Sequence, residues 1–112
     1  MGFTSQIEHM YGGEGTIEFY HILKTEEMNG MARVYAQVTI PPHCSIGYHV
    51  HSGDGESVYI ISGHAVMDDN HEREIELKPG VDFFTPDGRG HGITNNNEEP
   101  LVLMALIVYT KK

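Results

Sequence analysis

The sequence is short of the features that mark several protein classes. It has one cysteine, Cys44, so no disulfide can form within the chain. A small secreted scaffold held by disulfides is excluded, and a reducing cytoplasm is the expected location. Basic residues are few: seven Lys and Arg stand against sixteen Asp and Glu, for a formal net charge of −9. Such a surface repels phosphate, so duplex nucleic acid and anionic membrane faces are not expected partners. The longest apolar run, Leu101 to Tyr109, is nine residues, too short to span a bilayer as a helix. The first six residues, Met1 to Gln6, show neither the basic nor the apolar stretch of a signal peptide. Gly2 lacks the downstream Ser or Thr of a myristoylation site, because Gln6 stands there. No segment keeps a helical period for ten or more residues, so a helix-turn-helix reader of DNA is also excluded.

What is present is a β pattern. The 112 residues suit one domain with one core, expected to span 1–112. Thirteen Gly and five Pro punctuate short runs rich in Val, Ile, Thr, Tyr and Phe. Strands are predicted at Thr16–Leu23, Arg33–Ile40, Ile46–His51, Glu56–Ser62, His64–Asp69, Glu72–Leu77, Val81–Thr85, His91–Thr94 and Leu101–Thr110. Many short strands at near-regular spacing predict an all-β sandwich or barrel. The acidic pairs Glu26-Glu27, Asp68-Asp69 and Glu98-Glu99 read as solvated turn residues.

The chemical signal is His49-Val-His51-Ser-Gly-Asp-Gly-Glu56, with His91 far downstream. Residues i and i+2 of a strand share a face, so His49 and His51 project together, roughly 6–7 Å apart along the chain. The turn at 52–55 is expected to return the chain as a hairpin and set the Glu56 carboxylate beside the imidazoles. His91 opens a later strand after the turn Pro86-Asp-Gly-Arg-Gly90. Three imidazoles and one carboxylate form a mixed N/O set. It suits a divalent transition ion (Mn, Fe, Co, Ni, Cu or Zn) and does not suit Ca or Mg. His9, His21, His64 and His71 take no part in this spacing and are expected on outer surfaces.

These residues resemble the two motifs of the cupin superfamily. The first, G-x5-H-x-H-x3,4-E-x6-G, is matched by His49, His51, Glu56 and Gly63, over about residues 43–63. The second, G-x5-P-x-G-x2-H-x3-N, is matched by Gly80, Pro86, Gly88, His91 and Asn95, over residues 80–95. Between them lie 16 residues, His64 to Pro79, the short spacing of small cupins. The resemblance implies a double-stranded β-helix barrel with His49, His51, Glu56 and His91 as the metal ligands. One position departs: His43 stands where the first motif has Gly. A left-handed turn residue and a fifth ligand are its two readings, the turn being the expected one. Cys44 beside it reads as a small buried hydrophobe.

With the ligands pointing inward, alternation turns Val58 and Ile60 in and Ser57, Tyr59 and Ile61 out. That outer face, like both faces of 101–109, is too apolar for solvent, and a homodimer is expected to cover it. Arg33, Tyr35, Gln37 and Thr39 share the polar face of another strand. Tyr35 and Gln37 on that face, and Arg89 near the expected barrel mouth, are candidate substrate contacts. Members of the family include dioxygenases, decarboxylases, isomerases and binding proteins. The expected function is action on, or binding of, a small oxygen-rich metabolite (a carboxylate, keto acid, enediol or sugar) at the site of three histidines and one glutamate. A non-catalytic small-molecule or metal sensor is the alternative, and no general acid or base is assigned.

Overall fold

The computed structural model describes residues 1–110, and its backbone is ten antiparallel strands in two sheets. In chain order they are β1 (Phe3–Glu8), β2 (Thr16–His21), β3 (Ala32–Ile40), β4 (Ser45–Val50), β5 (Asp54–Ser62), β6 (Ala65–Asp69), β7 (Arg73–Leu77), β8 (Asp82–Thr85), β9 (Gly90–Thr94) and β10 (Leu101–Tyr109). A 3-10 turn at Met10–Gly12 and a short helix, α1 (Thr25–Met28), complete the elements. The larger sheet runs β1-β2-β3-β10-β5-β8 and the smaller runs β4-β9-β6-β7. The arrangement is a double-stranded β-helix.

Each predicted run carries a strand, with ends moved by no more than two residues. β1 was not predicted. It is an edge strand with exposed side chains on both faces, so it lacks the alternation that betrays a half-buried strand. The core lies between the sheets and is built by period-two patterns. Ala36, Val38 and Ile40 of β3, Val58 and Ile60 of β5, and Leu101, Leu103 and Ala105 of β10 meet Ala65 and Met67 of β6 and Ile93 of β9. Asp69 departs from the expected solvated role. It is the last inward position of β6, it is buried, and Arg73 Nε donates to its Oδ2 at 2.9 Å.

Two chain features place the site. The turn after β4 does not close a hairpin, which corrects the expected β4–β5 pairing. β4 pairs with β9, whereas β5 pairs with β10 and β8. The turn instead carries the chain from the small sheet to the large one, and Gly53 turns it at φ +81°. The second feature is a bulge on β3. Val34 pairs with Ile107 and Ala32 with Val108, so Arg33 is the extra residue. A bulge re-aims its side chain, and Arg33 leaves the outer face shared by Tyr35 and Gln37. His43 adopts φ +61°, the left-handed turn conformation of the glycine it replaces. Its ring meets Glu98 at 2.8 Å on the surface.

Candidate metal centre

His49 on β4 stands directly opposite His91 on β9 in the sheet register. His51 follows at the end of β4, inside the sheet-switching turn. Glu56 on β5 reaches the three imidazoles from the facing sheet. Ring centroids lie 5.2 Å apart for His49 and His51, 4.8 Å for His49 and His91, and 4.9 Å for His51 and His91. One ligand atom from each of the four residues falls within 4.8 Å of the others. The four expected ligands are thus brought together.

Each ring is held from behind. His49 Nδ1 donates to the Gly47 carbonyl at 2.8 Å, and His51 Nδ1 donates to Asp54 Oδ1 at 2.6 Å. The Thr85 hydroxyl holds His91 Nδ1 at 2.8 Å. Carbonyl and carboxylate only accept, so the Nε2 atoms of neutral His49 and His51 carry lone pairs. Those lone pairs face inward. His51 Nε2 and His91 Nε2 lie 3.2 Å apart, and Glu56 Oε1 is 3.0 Å from each. Acceptors gathered this tightly, with their Nδ1 sides already bonded, are the donor set a cation requires. The three histidines and one glutamate therefore form a group that could hold a metal ion, and its mixed N/O chemistry fits a transition ion.

Without an ion, ring protons take the place of a cation between these acceptors. Burial pushes the Glu56 carboxyl up, but the hydrogen bonds it then accepts from the His51 and His91 rings outweigh burial and hold the group at about 2. The hydrogen bond to Glu56 raises the His51 pKa against its burial, with Asp54 adding to the rise. Burial lowers the His49 pKa, which favours the neutral, ligating form.

The group closes one end of a cavity of about 200 Å³ between the sheets. An open cleft of about 430 Å³ reaches the same place, sharing Tyr11, Arg33, His49 and His51 with the cavity wall. The Tyr11 ring stacks on His49 with centroids 3.9 Å apart and planes 12° off parallel. Arg33, re-aimed by its bulge, donates from Nε to Asp54 Oδ2 at 3.1 Å. A chain of contacts thus runs from the Arg33 guanidinium through Asp54 to His51.

The expected substrate contacts lie elsewhere. Tyr35 and Gln37 sit on the outward face of β3, level with Leu106 and Met104 of β10. Arg89 donates to Glu72 at 2.9 Å on the surface, and lies 3.7 Å from Asp69. None of the three lines the cavity. His21, expected on an outer surface, does line it. Arg33, Tyr11 and His21 line the cavity and Asp54 and Thr85 brace the ligand rings, and the sequence pattern singled out none of the five for this place. Asp54 alone had a signal, being a carboxylate three residues past an HxH histidine. The bulge that aims Arg33 leaves no mark on the local sequence.

Residues 36–109 match the family model described as the Cupin domain. The chain belongs to the cupin family. It is 37% identical over 103 residues to the oxalate-binding protein of Thermotoga maritima, covering 92% of this chain and 84% of the relative. Among solved structures, it is similar to one described as a predicted oxalate decarboxylase from Thermotoga maritima. The identity there is 35%, with 96% of this chain and 93% of the other covered, and the TM-score is 0.90. A protein from Thermus thermophilus is 25% identical, with 83% of both chains covered and a TM-score of 0.72. Cupins commonly bind a metal, in keeping with the group found here. Among the described residues, no helix is long and apolar enough to cross a membrane.

Proposed function

We propose that this cupin binds one divalent transition ion, of the group Mn, Fe, Co, Ni, Cu and Zn, through His49, His51, Glu56 and His91. With it the protein holds a small carboxylate or α-keto acid. The observation that carries this reading is the meeting of two features in one cavity. Four inward-facing acceptors stand at its end, and Arg33 stands at its rim. When bound, the ion supplies a Lewis acid that orients and polarises an oxygen ligand. The chain's own residues do the rest. Gly47, Asp54 and Thr85 fix the imidazoles, and Arg33 offers an anion the guanidinium nitrogens beyond the Nε that holds Asp54. Likeness to an oxalate-binding protein supports the ligand class.

Turnover of a small acid is the second reading, favoured by likeness to the predicted oxalate decarboxylase. Both are tested on one preparation. Oxalate should raise the melting temperature of metal-loaded protein by mass action and leave metal-free protein unmoved. Equal stabilisation of both forms would place the ligand away from the ion. Release of formate and carbon dioxide would establish turnover, and binding without release would establish a carrier or sensor.

The outer face of the large sheet supports a further part of the proposal. Phe84, Ser57, Leu106 and Tyr35 run in register across it, beside a row of Tyr59, Met104, Gln37 and Tyr20. Tyr59 is 50% exposed, Ile61 43% and Phe84 50%. We read this face as the interface of a homodimer.

A further inference from the structure

The cavity offers more room, and a different wall, than its polar end requires. Its volume of about 200 Å³ is roughly the share of six or seven waters at about 30 Å³ each. The charged groups crowd at one end, at the ligand set and Arg33. Beyond them the wall is hydrocarbon: Ile7 and Phe19 from the β1–β2 hairpin, Val34 and Val38 from β3, and Leu103 and Ile107 from β10.

One neutral polar pair interrupts that wall. Ser5 Oγ lies 2.8 Å from His21 Nε2. The His21 ring stacks on Phe3 at 4.5 Å and on Phe19 at 5.7 Å. Burial lowers its pKa, so the imidazole is neutral at pH 7 and asks no charge of a ligand. A second carboxylate laid against this wall would lose its water to hydrocarbon and meet only this one neutral pair. A branched alkyl or aryl group would lose only water that it holds poorly.

We propose that the ligand is an α-keto monocarboxylate with a branched aliphatic or aromatic side chain, its charged head at the Arg33 end and its apolar body against the β1–β2 hairpin. The proposal rests on the chelate reading above and narrows it. Oxalate has charge at both ends and leaves the hydrocarbon wall uncovered. It satisfies the polar end alone.

Pyruvate and α-ketoisocaproate share one head and differ in the apolar body, so their comparison isolates the wall. Isothermal titration of Mn(II)-loaded protein should give α-ketoisocaproate at least about tenfold tighter binding than pyruvate, since each buried methylene adds affinity. Ile7 is 40% exposed on an edge strand, so Ile7→Asn leaves the core intact. That variant should lose the preference, its α-ketoisocaproate affinity falling at least about tenfold further than its pyruvate affinity. Metal-dependent binding of oxalate and pyruvate, with α-ketoisocaproate no tighter, would overturn this inference and leave the chelate reading standing. Binding of none of the three would overturn both.

Discussion

The three imidazoles at the centre owe their direction to groups outside the ligand motif. Asp54 is the clearest. One of its oxygens accepts a hydrogen bond from His51 Nδ1 and the other accepts one from Arg33 Nε. Asp54→Asn keeps the volume and removes the charge, so His51 should lose both basicity and alignment. Metal affinity measured by chelator competition is expected to fall by about 10–100-fold. Far-ultraviolet circular dichroism should stay unchanged. The titrating groups add a pH dependence of definite sign. Glu56 at about 2 lies below its ordinary 4.5, so its contribution is present above pH 4.5 and lost as pH falls through about 2. His51 is raised above 6.5, so its contribution is full below 6.5 and fades as pH rises through the raised value. An ion needs the neutral imidazoles, so it stabilises where the metal-free protein loses the His51 contribution. The melting-temperature gap between metal-loaded and metal-free protein should widen from about pH 5.5 to about pH 8 and close near about pH 4.5. A gap that stays constant over that range would contradict the ligand assignment.

Strands and turns decide how the ligands meet. Period-two alternation was enough to locate nine of the strands, because one face of each packs into the core. It could not say which strands pair. HxH and Glu56 are five residues apart across a Gly-rich turn, which reads as a hairpin; the chain instead changes sheets there, and Glu56 arrives from the opposite wall. β1 was invisible because Phe3–Glu8 buries no face, yet with β2 it supplies one side of the cavity. The ligand spacing was legible because a metal demands fixed residue types. The cavity wall was not, since valines and isoleucines facing a cavity look like any core residues. The turn glycines allow a test of this framework. Gly53 has φ +81° and open space around its Cβ position, whereas at Gly63, φ +87°, a Cβ would strike the Pro100 carbonyl. Gly53→Ala should cost about 1–2 kcal/mol from backbone strain alone. Gly63→Ala should cost more, as strain and collision add. Urea unfolding of the two variants gives the order, and an equal loss in both would argue against the close approach of the 62–64 turn to Pro100.

The molecule as a whole sets a polar, metal-ready end and an apolar depth between two sheets, with a second apolar surface turned outward. Tyr59→Asp combined with Ile61→Lys should convert a dimer to monomer or aggregate in light scattering, and a monodisperse native monomer at high concentration would refute the interface. Likeness over nearly the whole chain to an oxalate-binding protein gives the ligand class its support, and the centre itself gives the chemistry. Everything proposed for that chemistry depends on an ion held by four named side chains. Elemental analysis of protein purified without added metal should find about one transition ion per chain, and His49→Ala/His51→Ala protein should have lost it. Full occupancy in the folded double variant would mean that the ion, and the ligand it is proposed to hold, belong somewhere else.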